Sequence, residues 1–144
     1  MNLDPPPVAE CARVRRVGVA MFAAASTVEM LADEGGVSPA AAERLLEMVV
    51  ALRWSGSKIV DESHDLAGRA GELQDAELAS TELQWFAGCV ARVFGEAQED
   101  LKTIFGMAAT LRVSSVADDA PVLAQMDEAL NEVRRMSASA RVLS

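Results

Sequence analysis

Hydrophobic residues recur along this chain at spacings of three, four and seven, which is the pattern of amphipathic helices. One row repeats every seven residues, at Leu45, Leu52, Ile59, Leu66 and Leu73, with companions at Val49, Ser63 and Ala70. A second seam alternates steps of four and three, at Val90, Phe94, Ala97, Leu101, Ile104, Ala108 and Leu111. The last seam uses the same steps, at Leu123, Met126, Leu130, Val133, Ser137 and Ala140. No segment shows the two-residue alternation of strands, so the pattern predicts an all-α fold.

Capping and helix-breaking residues divide this pattern into four helices. Asp4 and three prolines precede the first helix, and Gly35-Gly36 allows a left-handed exit at its end. Ser38-Pro39 starts the second helix, within which the weak helix formers Ser55-Gly56-Ser57 predict a kink or a split. We expect helices at residues 8–32, 39–79, 82–113 and 121–142. Residues 1–144 should form a single domain, an elongated bundle of four long antiparallel helices.

The amino-acid composition indicates what the core and the surface of such a bundle should contain. Hydrophobic residues make up 51% of the chain but aromatic residues only 4%, so the core should be aliphatic. We expect the methionines to fill this core, including Met21, Met30, Met48, Met107 and Met126. The net charge of −9 repels phosphate backbones and anionic lipid surfaces, so it disfavours nucleic acid as a partner. Residues 61–100 hold ten acidic residues against two arginines, and a basic protein surface would complement them.

Cysteine spacing and hydropathy indicate the compartment. Cys11 and Cys89 lack the spacing of a metal or redox site, so we expect reduced thiols and a cytoplasmic location. The apolar segment Val17–Val28 follows three arginines, as in a signal peptide, but it starts late in the chain and has Asp4 and Glu10 ahead of it. At twelve residues it is also too short to span a bilayer. We therefore expect neither a signal peptide nor a membrane span.

The inventory of reactive side chains disfavours most catalytic schemes. His64 is the single histidine, which leaves no second imidazole for a zinc or di-iron site of the usual bundle type. The sequence contains neither a phosphate-binding glycine loop after a strand nor a nucleophile elbow. The carboxylates of Glu96, Glu99 and Asp100 flank a seam on its polar side and are typical of a solvated face. We therefore predict no metal, no cofactor and a non-enzymatic role.

His64 differs from the other polar residues because the helical register places it opposite the buried leucine row. His64 precedes Leu66 by two residues, which is a rotation of about 200° around the helix axis, so the imidazole should be exposed. Ala67, Gly68 and Gly71 follow on the same side, and small residues there would let a partner approach closely. Glycine inside a helix costs about 1 kcal/mol relative to alanine, so we predict an interaction site at Ala67, Gly68 and Gly71.

The residues around His64 also resemble a known motif. The string from His64 to Leu73 is similar to the phosphoacceptor box of histidine phosphotransfer domains, and it matches at His64, Leu66, Gly68, Ala70 and Leu73. It departs at Ala67, where that family has lysine, and at Gln74, where it has glycine. Ser63-His64-Asp65-Leu66 is similar to the acceptor helix of dimeric sensor kinases, which has an acidic residue after the histidine. The resemblance implies a phosphoacceptor His64 assisted by Gly68 and Asp65.

Three functional hypotheses follow from these observations. The first is a helical bundle that binds other protein chains, including a second copy of itself as a homodimer, in an adaptor, signalling or assembly role. The second is a phosphotransfer module with His64 as phosphoacceptor. The third is a bundle that binds a small apolar ligand between its helices. An alternative interpretation of the interior glycines is that Gly56, Gly68, Gly71, Gly88 and Gly95 mark places where helices pack closely, within one chain or across a dimer.

Overall fold

The protein is a bundle of four long helices in the computed structural model, which describes residues 6–75 and 80–141. The helices are α1 (Pro6–Glu34), α2 (Pro39–Asp75), α3 (Ser80–Ser114) and α4 (Ala120–Arg141), and a 3-10 turn at Ala117–Asp119 precedes α4. The described residues contain no strand, which confirms the predicted all-α class. The predicted start of α2 agrees with the observed one, whereas α1 and α3 begin two residues earlier than predicted. The predicted end of α2 falls in 76–79, outside the described residues.

Contacts between residues of neighbouring helices show that consecutive helices run antiparallel. From one end of α1 to the other, Cys11 contacts Ser63, Gly18 faces Gly56, and Glu29 binds Arg53. Residues later in α1 therefore contact residues earlier in α2. The same order relates α2 to α3 and α3 to α4, through Lys58–Glu96 and Arg69–Trp85, and through Arg112–Asp127 and Gln98–Ser137. At 1.5 Å per residue, α2 is about 55 Å long, so the bundle is elongated.

The core consists of the predicted apolar rows. On α2, Leu45, Leu52 and Ile59 are buried and Leu66 is partly buried, while Leu73 lies among residues whose side chains are not described. The α3 and α4 seams are buried throughout, except that Phe94 is half-buried. Met21, Met48 and Met126 fill the core and Met107 packs at its edge. The expectation for Met30 is wrong, because its side chain is 51% exposed on the outward side of α1.

The connection from α1 to α2 is stabilised by residues within it and by one residue distant in the sequence. Gly36 has a φ of +68°, the left-handed conformation that a glycine at a helix exit provides. Ser38 caps α2, since its hydroxyl oxygen accepts a hydrogen bond from the Ala41 N–H at 3.4 Å. The buried Asp119 carboxylate accepts bonds from the Ser38 N–H at 3.1 Å and the Ser38 hydroxyl at 2.9 Å. These two bonds tie the start of α2 to the start of α4.

The segment Ser55-Gly56-Ser57 does not split the second helix, since α2 is continuous from Pro39 to Asp75. Ser55 and Gly56 are buried, and Gly56 faces Gly18 of α1. A Cβ atom added to Gly56 would lie 3.1 Å from the Gly18 carbonyl oxygen. The two glycines therefore allow the backbones of α1 and α2 to approach closely, and this packing offsets the low helix propensity of the segment.

Candidate functional site

The structure places His64 on the outside of α2, as its helical register predicts. His64, Asp65, Ala67 and Gly68 are all exposed. A Cβ atom added to Gly68 would meet nothing within 4 Å, so the backbone is open to a partner there. His64 makes no hydrogen bond or ion pair with the described residues. Gly71 lies within α2, but its surroundings fall outside the described residues.

A groove of about 370 Å³ lies between α1 and α2 beside His64, and it is lined by Cys11, Ala12, Arg15, Arg16, Val19, Ser63 and Ala67. Its floor is apolar and its charged lining residues are two arginines. Neither arginine forms an ion pair within residues 6–75 and 80–141. The Cys11 thiol donates a hydrogen bond to the Ser63 carbonyl oxygen at 3.3 Å, and burial raises the pKa of this thiol despite the opposing charge of Arg15. The groove is therefore a basic pocket on an acidic protein.

A second groove, of about 270 Å³, lies on the other side of α2 and faces α3. Asp65 lines it together with Glu62, Arg69 and Arg92, and the Arg69 guanidinium stacks on Trp85 at 5.2 Å from the ring centre. Its charges are mixed in sign, so they favour no single class of charged ligand. Ser63 and Asp65, on either side of His64 in the sequence, thus line different grooves.

The interior glycines fall into two groups. Gly56 packs against α1, as the close-packing interpretation predicted, and its partner Gly18 was not anticipated. That interpretation is wrong within this bundle for Gly68, Gly88 and Gly95, where an added Cβ would meet nothing within 4 Å. The exposed glycines leave bare backbone on the surface of α2 and α3.

A set of exposed apolar residues that is not predicted from the sequence shares one side of the α1–α2 pair. We call this side the outer face, and it consists of Val19, Phe22, Met30, Leu46, Val50 and Trp54. On α2 the steps of four from Leu46 to Trp54 keep these residues on one side of the helix, and Trp54 is 75% exposed and Val50 68% exposed. The signal in the sequence was the absence of any charge from Val17 to Val28, which leaves α1 apolar on its outward side too.

One ion pair crosses the outer face between the two helices. Arg53 donates two hydrogen bonds to the Glu29 carboxylate, at 2.8 and 3.1 Å. The bond from Arg53 and its charge lower the pKa of Glu29, and the same bond raises the pKa of Arg53. Because the two charges neutralise each other in a forked geometry, they interrupt the apolar surface without giving it a net charge.

Other kinds of site find no support in the part of the chain that the structure describes. No group of three His, Cys, Asp or Glu residues there could hold a metal ion. Across the same residues, no helix combines the length and apolar character needed to cross a membrane. Of the predicted acidic face on α3, Glu96 pairs with Lys58 at 3.3 Å and Glu99 is exposed.

Comparison with protein-family models, curated proteins and solved structures finds no match to this chain.

Proposed function

We propose that this protein acts without catalysis, by binding protein chains through the outer face of α1 and α2. The observation that supports this proposal is the cluster of six exposed apolar side chains that defines the face. The outward side of a surface helix is normally polar, and contiguous apolar surface on a soluble domain marks an interaction site. The proposal is that such binding serves an adaptor, signalling or assembly role.

Trp54 is the expected anchor of this interface. Tryptophan is enriched among the residues that dominate binding energy, because its large ring loses much hydrated surface at little cost in side-chain entropy. Val50 lies one turn before it and is similarly exposed. Removal of the anchor by Trp54→Ala should weaken binding by about 2 kcal/mol or more, which corresponds to about thirtyfold.

Site-specific photo-crosslinking tests this proposal. A photoreactive amino acid replaces Val50 in cells that make the protein, and the matched control replaces Val113, an apolar residue that is 89% exposed at the end of α3. We expect adducts of discrete mass from position 50, made either with a second copy or with another protein, and none from position 113. The adducts should be lost in the Trp54→Ala background. Equal, unselective labelling from both positions would contradict the proposal.

A second function, histidine phosphotransfer, is favoured by the exposure of His64 beside the open backbone of Gly68. In this reaction an imidazole nitrogen attacks the phosphorus of a phosphorylated donor protein. The nitrogen–phosphorus bond forms as the donor's bond to phosphorus breaks, and the donor group leaves with the electron pair of that bond. The ring proton of the exposed imidazole passes to water. A buried histidine could not reach a donor, whereas His64 can.

Incubation with phosphorylated receiver domains or sensor kinases tests this second function. We expect an acid-labile phosphoryl label on the wild-type chain and none on His64→Gln. Gly95→Ala serves as the control, because it changes an exposed helical glycine on another helix. If the wild type takes up no label, or if His64→Gln is labelled equally, the phosphotransfer function fails and the binding function is unaffected.

A further inference from the structure

The outward side of α1 carries opposite charges at its two ends. Arg15 and Arg16 are exposed near the start of the helix, and Asp33 and Glu34 are exposed at its end. Eighteen residues separate Arg15 from Asp33, and the same number separates Arg16 from Glu34. At 3.6 residues per turn this is five whole turns, so each pair shares one side of the helix, about 27 Å apart.

Between these two ends, the surface of α1 is neutral. From residue 17 to residue 32 the only charged side chain of α1 is Glu29, and Arg53 pairs with it. Val19, Phe22 and Met30 of the outer face occupy this interval. The outward side of α1 thus has a basic end, an apolar middle and an acidic end, arranged along the helix axis.

We propose that the partner on the outer face is a second copy of this chain, docked antiparallel about a two-fold axis near residue 24 of α1. This inference deepens the proposed function and rests on it. A two-fold interface requires a surface that complements itself, and reversal of one copy brings its acidic end onto the basic end of the other. A partner of a single charge sign would meet repulsion at one of the two ends.

The pattern of side-chain size along α1 fits the same axis. When Arg16 lies opposite Asp33 of the second copy, Val19 lies opposite Met30 of the second copy, and Ala23 lies opposite Ser26 of the second copy. The exposed residues nearest the axis are therefore small, which lets the two α1 helices approach closely. The larger apolar residues pair on either side, flanked by Trp54 and Val50 of α2.

The basic groove receives the acidic end. Arg15 and Arg16 line the 370 Å³ groove and form no ion pair within the described residues of the chain. Carboxylates of a second copy placed there would gain two guanidinium partners. This local attraction is needed because each copy carries a net charge of −9 and the two would otherwise repel. At physiological ionic strength, salt screens interactions between exposed charges that are more than about 8–10 Å apart. The long-range repulsion between the two copies is therefore weakened more than the attraction between opposite charges in contact.

Charge reversal with light scattering and sedimentation tests the geometry. We expect the wild type to be a dimer. At low ionic strength, the dissociation constant of the dimer should rise about tenfold or more in each of two variants, Arg15→Glu/Arg16→Glu and Asp33→Lys/Glu34→Lys. Each variant carries like charges at both ends of the face, so its homodimer repels itself. An equimolar mixture of the two variants should form a heterodimer, because every end then meets its opposite. Reversal of all four residues should restore the homodimer.

A matched control reverses charges elsewhere. Arg92→Glu/Lys102→Glu changes two exposed basic residues of α3, and it should leave the dimer unchanged. A wild type that stays monomeric at all concentrations, or a mixture of the two variants that forms no heterodimer, would overturn the two-fold arrangement. Crosslinks from position 50 that join only a different protein would also overturn it, while leaving the proposed function intact. Absence of any adduct from position 50 would contradict both the two-fold arrangement and the proposed function.

Discussion

The close packing of α1 on α2 predicts that Gly18→Ala destabilises the protein although alanine is the better helix former. A Cβ atom at position 18 would lie 2.8 Å from Val60 Cγ2 and 3.0 Å from the carbonyl oxygen of Gly56. Neither atom moves aside readily. Valine in a helix has one dominant rotamer, and the carbonyl oxygen belongs to the backbone of α2. Relief of the overlap therefore requires the two helices to separate slightly.

Two effects of opposite sign determine the change in the free energy of unfolding. Alanine in place of a helical glycine stabilises by about 1 kcal/mol, and overpacking of a tight site costs about 1–3 kcal/mol. Gly95→Ala is the matched control, because its added Cβ meets nothing within 4 Å and only the favourable effect remains. The difference between the two variants isolates the steric cost, and we expect Gly18→Ala to be less stable than Gly95→Ala by about 1–3 kcal/mol.

Urea unfolding followed by circular dichroism measures this difference, with all proteins at one concentration so that self-association affects them equally. Gly95→Ala should be more stable than the wild type, which checks that the helix-propensity effect operates in this bundle. If both variants gain the same stability, the reasoning from the glycine contact is refuted.

Three further predictions concern polar and thiol groups. Asp119→Ala removes the buried acceptor of two hydrogen bonds and should lower the free energy of unfolding by about 1–3 kcal/mol, whereas Asp118→Ala, at an exposed neighbour, should change it by less than about 0.5 kcal/mol. The pKa of Glu29 is lowered in the native state by the hydrogen bond from its arginine partner, so its contribution to stability is complete above the ordinary glutamate pKa and disappears as the pH falls through the lower native value. Glu29→Gln should therefore be less stable than the wild type at neutral pH and equally stable in strong acid, in unfolding curves measured at several pH values. A thiol reagent should modify Cys89 quickly and the buried Cys11 slowly, because burial also raises the pKa of the Cys11 thiol, and a fast phase that persists in Cys89→Ser would contradict this.

Features that depend on neighbours within one helical turn or one tight turn could be predicted from the sequence alone. The apolar rows predicted the buried sides of α2, α3 and α4, because helical periodicity fixes which residues share a side. Gly36 and Ser38 marked the exit from α1 and the start of α2, since a left-handed residue and a cap act through their own backbone. The register of α2 likewise indicated that His64 points outward.

Features that depend on residues distant in sequence could not be predicted without the folded bundle. Gly56 and Gly95 are the same residue type on similar helices, yet only Gly56 faces another glycine across a helix contact. Asp119 belongs to a segment that the sequence marked only as a loop, and its role depends on a serine 81 positions away. Met30 was expected in the core, but α1 has more apolar positions than its neighbours can cover. The packing of α2 and α4 against α1 decides which of these positions remain outside, so the outer face emerges only from the assembled bundle.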